Sequence, residues 1–452
     1  MATDNVREII LDILLDISKN GVYSHIAIRG ALEKYQYLSK RDRAFITKVV
    51  EGTVERRIEI DYIINRFSSV PVSRMKAVIQ EILRSAVYQI RFMGGIPDSA
   101  AVNEAVVLAQ RKGFYNLKGF VNGVLRTVVR DGDKVTYPDV EKEPVRALSV
   151  KYSMPEWLVA NWEKEFGSYV TNLMLESFLK ERPTTVRFKT GGGFPRQQIL
   201  DSLKTQGVEV KRAPYLPYAY NISGYNYLSA VQAFREGWIF TQDVSSMLVG
   251  EIADPHQGDY IIDMCAAPGG KSLHVADKMN GYGMVDARDL SEDKVALIRD
   301  NVKRADLINI RPNVKDALVR DPLSEGKADI VLVDAPCSGL GVISRKSDIK
   351  YRISPQKIEE LVRLQRQILE NAASYVRKGG VLIYSTCTIG KRENHDNRQW
   401  FLDNFPFDAE SLDPYLPEEL RSLTTAEGYL QIIPGIYEAD GFFIARFRKR
   451  GI

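Results

Sequence analysis

The sequence predicts an α/β protein built in three parts. An all-α domain occupies residues 1–135, linker helices and a small α/β insert occupy 145–235, and a doubly wound α/β domain occupies 236–452. Three observations predict this. Up to Arg130 the apolar residues recur at helical spacing, as Ile9, Ile10, Ile13, Leu14 and Ile17 do on one face. Gly, Pro and acidic residues then cluster in DGDKVTYPDVEKEP (131–144), the composition of a linker. Beyond Phe240 short apolar runs alternate with helical segments, the sequence form of a sheet wound on both faces.

Within the first part, short turns such as GGIP (94–97) separate the helices. Asp12 and Asp16 interrupt the apolar start of the chain, and no basic region or cleavage site is present, so a signal peptide is not expected. No run of eighteen uncharged apolar residues exists, so no membrane span and a cytoplasmic location are expected. Residues 1–130 hold 20 Lys and Arg against 13 Asp and Glu; the remainder holds 42 against 45. A basic N-terminal part suits a polyanionic partner, although by charge alone a solvated helical surface is the preferred reading. Three cysteines and four unpaired histidines match neither a disulfide framework nor a metal site, so no metal is expected.

After the linker, helices are expected around Pro155–Phe166 and Ser168–Lys180. TTVRFKT, QQILDSLKTQG and VEVKRAP then read as strand, helix and strand, a compact βαβ-like insert. The candidate core strands are DYIIDMC, GYGMVDA, NIRPNVKDA, ADIVLVDAPC and GVLIYSTC. Ser354 can cap the helix between the last two, Pro355 suits its first turn, and Gly379 and Gly380 lie past its end.

The stretch from Asp263 to Ser272, DMCAAPGGKS, joins the first core strand to a helix. Gly269 and Gly270 allow a ligand close to the backbone at a helix N-terminus, where nucleotide-like cofactors bind in α/β sheets. A dinucleotide fingerprint is absent. A phosphate-binding loop is nearly matched, but Cys265 replaces its first glycine and Pro268 removes an amide. IVLVD, ending at Asp334, would complete such an ATPase. The third reading is an S-adenosylmethionine site. Asp286 and Asp289 behind the second strand, and Asp316 behind the third, can accept hydrogen bonds from ribose and adenine.

Cys337 and Cys387 end two strands joined by one crossover helix, so both thiols are expected at one sheet edge within roughly 10 Å. A lone cysteine is usually a small buried hydrophobe; two at equivalent strand ends facing a cofactor turn suit thiolate chemistry. Carbon 5 of cytosine attacks a sulfonium methyl only after a thiolate adds at carbon 6, and a second group can assist release. Asp334 could protonate or hold ring nitrogen 3. Spacing does not distinguish nucleophile from helper.

DMCAAPGGKS (263–272), DAPCSGLGVISRKSDIKYR (334–352) and YSTCT (384–388) together resemble the RNA 5-methylcytosine methyltransferase family. FREGWIFTQDVSSMLV (234–249) is similar to the segment leading into its core, and ADGFFIARFRK (439–449) to its closing hairpin. RDRAFITKVVEGT (41–53), ILRSAVYQI (82–90), NEAVVLAQ (103–110) and GFVNGVLR (119–126) resemble NusB, an RNA-binding helical domain. The combination resembles the RsmB (Sun) subgroup.

The fold so implied is an α/β Rossmann-like S-adenosylmethionine-dependent methyltransferase core, with an all-α NusB-like N-terminal domain and a small α/β (RRM-like) insert. The resemblance makes Cys387 the nucleophile and Cys337 the residue that assists release, the reverse of DNA cytosine methyltransferases. It maps S-adenosyl-L-methionine contacts onto Cys265, Ala266, Ala267, Pro268, Gly269, Gly270, Lys271, Asp289, Asp316 and Asp334, with Asp286 the alternative to Asp289. The implied substrate is a cytosine of 16S (small-subunit) ribosomal RNA, single-stranded or in an opened loop so that the base is unstacked. Arg345, Lys346 and Lys350 are expected either to reach the RNA backbone or to form a solvated loop. Nothing indicates an oligomer. The competing readings are an ATPase and an RNA-binding scaffold without catalysis.

Overall fold

The computed structural model describes residues 5–451, and the chain divides into two units. Residues 1–4, the start of the segment weighed as a signal peptide, lie outside the described residues. The first unit comprises the chain up to Lys180 together with Ile343–Arg352; the second comprises Glu181–Val342 and the chain from Ile353 onward.

The first unit is helical. Its helices are Val6–Ser18, Ser24–Lys34, Lys40–Glu55, Arg57–Phe67, Ala77–Phe92, Asp98–Arg111 and Lys118–Asp131, followed by Pro144–Lys151 and a run Glu156–Phe178 that breaks at Gly167. Asn5 caps the first by accepting from Arg7 N at 2.9 Å. The apolar face read from the sequence is buried, Ile10 and Leu14 joining a core with Val49, Val50, Leu83 and Leu125. Each such side chain contributes about 1.5–3 kcal/mol of burial free energy.

Ile343–Arg352 completes this unit. Helix Ser24–Lys34 lacks a capping side chain of its own, and Asp348 accepts from both Ser24 N (3.1 Å) and Ser24 Oγ (2.7 Å). Lys350 donates to Glu55 O, the last carbonyl of its helix, at 2.8 Å, and Arg352 donates to Gly21 O and Val22 O. An anion at a helix N-terminus and a cation at a C-terminus both complement the helix dipole. The expectation that Lys350 reaches RNA is corrected here: its side chain is buried, and burial lowers its ammonium pKa to about 7. Arg345 and Lys346 remain exposed.

The second unit holds two sheets. In the insert, β1 (Thr184–Phe188), β2 (Glu209–Arg212), β3 (Ala219–Ser223) and β4 (Ile239–Thr241) form an antiparallel sheet in the order β2-β3-β1-β4. Helices Arg196–Thr205 and Gln232–Arg235 follow β1 and β3. This is the strand order of an RRM-like fold. The simple βαβ-like reading changes accordingly, because β3 inserts between β1 and β2 and pairs antiparallel with both.

The main sheet contains β5 (Tyr260–Asp263), β6 (Met284–Asp289), β7 (Ile310–Val314), β8 (Ala328–Asp334), β9 (Val376–Thr386), β10 (Phe407–Ala409), β11 (Tyr429–Ile432) and β12 (Phe442–Lys449). Their order is β10-β12-β9-β8-β5-β6-β7, with β11 paired to β12. β5 to β9 run parallel, and β12 is antiparallel to β9. From β5 the chain winds one way through β6 and β7 and the other way through β8 and β9. The switch point therefore lies between β5 and β8, where a crevice opens beyond the carboxyl ends of the strands. Ser354 Oγ caps helix Pro355–Tyr375 by accepting from Lys357 N at 3.2 Å.

Insert and core share a buried ion pair. Arg187 of β1 donates to Asp277 Oδ2 at 2.9 Å, with the two side chains 0% and 1% exposed. Asp277 also accepts from Thr190 N and Gly191 N. Asp277→Ala leaves the guanidinium buried and unpaired, and should lower stability of this unit by about 3–5 kcal/mol. Urea unfolding monitored in the second unit measures this. Replacing the pair together, with Arg187→Met and Asp277→Leu, should recover most of the loss.

Candidate active site

The crevice at the switch point is built first by the turn after β5. Gly269 has φ +102°, a left-handed conformation that side chains disfavour, so the chain enters helix Gly270–Lys278 through a residue without a side chain. Three of the turn's amides are already engaged: Ala266 N donates to Arg288 O, Gly269 N to Ala266 O, and Ala267 N to the Asp289 carboxylate at 2.9 Å. Pro268 has none to offer. A phosphate cradle needs such amides free, and here a carboxylate stands against them. The ATPase reading is weakened accordingly.

The same region fits a cationic nucleoside. Asp263 is fully buried; Oδ2 accepts from Ser272 Oγ at 2.6 Å while Oδ1 has no partner. Burial raises its carboxyl pKa to about 7, and Asp334 and Asp289 are near enough to push it the same way. A cluster of carboxylates with an unsatisfied buried acceptor favours a ligand carrying ammonium, sulfonium and hydroxyl donors, and repels a triphosphate.

Asp286 and Asp289 both lie within β6 rather than beyond it, on opposite faces of the strand. Asp286 is taken up by Arg288 (Nε at 2.8 Å), Asn313 (2.6 Å) and Tyr260. Asp289 meets the glycine turn and the Lys294 ammonium at 3.0 Å. Asp316 follows β7 and accepts from Leu318 N. Cys265 is held as an unreactive thiol, its pKa raised by burial and then by Asp263.

β8 and β9 pair with Asp334 opposite Ser385, so the two cysteine turns leave neighbouring strands side by side. The sulfurs of Cys337 and Cys387 lie 3.2 Å apart, and both residues are partly exposed. Asp334 accepts from Lys271 Nζ at 2.6 Å and from Ser385 Oγ at 2.8 Å. The hydrogen bond to Cys387, then burial, pushes the Cys337 thiol pKa upward. Gly341 N donates to Cys387 O at 3.0 Å, and Gly441 crosses so close that a Cβ on Gly341 would lie 2.0 Å from Gly441 O. That approach accounts for the second glycine of CSGLG.

The structure thus brings together Lys271, Asp334, Cys337 and Cys387, with Asp289 at the glycine turn. Sequence reasoning missed Asp263 as a buried acceptor, Ser385 as a partner of Asp334, and a third carboxylate, Glu393. Glu393 is 1% exposed and accepts from Ser338 N (2.9 Å), Ser338 Oγ (2.5 Å) and Gln365 Nε2 (3.0 Å). Among the described residues no cluster of His, Cys, Asp and Glu could hold a metal ion, and no helix is long and apolar enough to cross a membrane.

Residues 251–448 match the model of the 16S rRNA methyltransferase RsmB/F family, and residues 4–130 match the NusB family. The chain is 36% identical to "Probable ribosomal RNA small subunit methyltransferase B" of Bacillus subtilis (strain 168), over 100% of both chains. The chain belongs to the RsmB/F family of 16S rRNA methyltransferases. Its fold is that of the crystal structure of PH0851, at TM-score 0.82 and 28% identity over 98% of each chain. NSun6 from Pyrococcus horikoshii with SFG shares the fold of 65% of this chain and 98% of its own, at TM-score 0.57 and 22% identity. As an RsmB/F enzyme the chain is an RNA methyltransferase whose cofactor is S-adenosyl-L-methionine, which the acidic crevice suits.

Proposed function

We propose that this enzyme methylates carbon 5 of a cytosine in small-subunit (16S) ribosomal RNA through a covalent cysteine–cytosine adduct. The observation that carries the reading is the pair of thiols 3.2 Å apart at the ends of β8 and β9, beside a carboxylate bonded to a lysine. Cys387 is the nucleophile, Cys337 assists release, and Asp334 holds or protonates ring nitrogen 3.

In this reading the Cys387 thiolate bonds to carbon 6, and the displaced ring electrons take up a proton at nitrogen 3, relayed through Asp334 from the Lys271 ammonium bonded to it. Carbon 5 then has enamine character. S-adenosyl-L-methionine, when bound, supplies a methyl group on a positively charged sulfur. Cys337, once ionised to the thiolate, afterwards takes the proton from carbon 5; the freed pair restores the carbon 5–carbon 6 double bond, Cys387 leaves as the thiolate, and nitrogen 3 returns its proton. The residues that would hold the cofactor are Cys265 to Lys271, Asp289 and Asp316, with Asp334 bordering both reactants. Asp289 is preferred over Asp286 for the ribose because Asp286 is already spent on Arg288. A scaffold without catalysis would have no use for this arrangement.

Transfer of labelled methyl to unmodified small-subunit ribosomal RNA, followed by nucleoside analysis, tests the proposal. Label in 5-methylcytidine is expected; label in another nucleoside, or none, would overturn it.

The helical unit, NusB-like over residues 1–135, is proposed to grip the RNA backbone. Lys118 and Arg126 are exposed along helix Lys118–Asp131. The variant Lys118→Gln with Arg126→Gln should flatten the slope of log affinity against log salt by about 1.4, roughly 0.7 per lost single-strand phosphate contact. An unchanged slope would move the RNA surface elsewhere.

A further inference from the structure

Glu393 is a buried carboxylate surrounded by neutral donors and paired with no cation in its hydrogen-bond shell. Besides Ser338 N, Ser338 Oγ and Gln365 Nε2, its carboxylate is bonded by Thr388. Gln365 uses the same amide nitrogen to reach Pro336 O at 2.9 Å, and Thr388 Oγ1 lies 2.7 Å from Ser338 Oγ. Residues 336 and 338 flank Cys337, and Thr388 follows Cys387. The backbone of Glu393 is pinned as well, its carbonyl accepting from Tyr384 OH (2.6 Å) and Asn397 Nδ2 (3.2 Å). Burial raises the Glu393 carboxyl pKa, and the donors converging from Ser338, Gln365 and Thr388 oppose that shift, a set of contacts that a side chain without two acceptor oxygens does not satisfy. Only a carboxylate offers acceptors in every direction to this ring of donors; a glutamine would point an amide hydrogen at one of them.

We propose that Glu393 is the positioning residue of the release step: it clamps the Cys337 turn to the Cys387 turn and so sets the Cys337 sulfur where it takes the carbon 5 proton. This rests on the cysteine roles proposed above. The first bond, from Cys387 to carbon 6, does not require Cys337 to be placed, whereas loss of the proton and cleavage of that bond do.

The test compares wild type, Glu393→Gln, Ser338→Ala and Cys337→Ser for single-turnover methylation, steady-state turnover, and protein–RNA adduct surviving denaturing electrophoresis. Glu393→Gln is expected to complete a first methylation at near wild-type rate, to slow steady-state turnover about tenfold or more, and to accumulate adduct towards the level of Cys337→Ser. Ser338→Ala, which keeps the glutamate and removes one donor, should show the same split to a smaller degree, and serves if Glu393→Gln does not fold. Equal slowing of first and later turnovers, or no adduct while Cys337→Ser traps one, would overturn the role of Glu393. If Cys337→Ser itself traps nothing, the cysteine assignment falls and takes this role with it.

Discussion

Cys387→Ala is expected to abolish methyl transfer, and Cys337→Ser to halt the enzyme after transfer with RNA still attached. In the proposed mechanism the two outcomes differ because the thiols, although 3.2 Å apart, act on different bonds. Without Cys387 nothing adds to carbon 6, carbon 5 remains a poor nucleophile, and the rate should fall by roughly 10⁴-fold or more. Without the Cys337 thiol the addition and methylation proceed, but the carbon 5 proton has no base beside it. Adduct should therefore appear on denaturing gels with one methyl per protein. Residual transfer by Cys387→Ala close to the wild-type rate would reverse the assignment.

Asp334→Asn is expected to reduce turnover by about 10²–10⁴-fold, the span typical of a proton donor or acceptor at the reacting group. The substitution removes the charge that Lys271 pairs with at 2.6 Å, and it leaves an amide where Ser385 Oγ donates. Affinity for S-adenosyl-L-methionine, measured by calorimetry without RNA, should change little, because Asp263 and Asp289 remain. If affinity collapses in step with turnover, Asp334 is chiefly a cofactor ligand.

Much of this site could be read from the residues. The glycine turn, the side-by-side strands β8 and β9, and the two cysteines at their equivalent ends follow from apolar runs and their punctuation. What escaped did so for physical reasons. The choice between Asp286 and Asp289 depends on strand alternation and on Arg288 claiming one face, which a turn-like reading of the segment cannot express. Glu393 sits in KRENH, a charged stretch that reads as solvent-facing; its burial comes from Ser338 and Gln365, distant in sequence. β3 and β4 of the insert are short and interrupted by turns, so only half of that sheet carried a periodic signal. Lys350 stands in a polar run that suggests an RNA contact, and only its helix-end partner reveals a structural role.

The detour of Ile343–Arg352 into the helical unit also orders events in time. A ribosome releases this chain from its N-terminus at roughly 5–20 residues per second. The helices up to Lys180 are therefore made well before Asp348, Lys350 and Arg352, and wait on the order of ten to thirty seconds for them. During that interval the start of helix Ser24–Lys34 and the end of helix Lys40–Glu55 lack the partners they have in the finished protein. Nascent chains stalled between residues 180 and 340 should be cut by protease near residues 21–24 and 55, and chains released beyond 352 should resist. The helical unit is thus finished before Cys387 and β12 have been made, so its fold is settled ahead of the completed core.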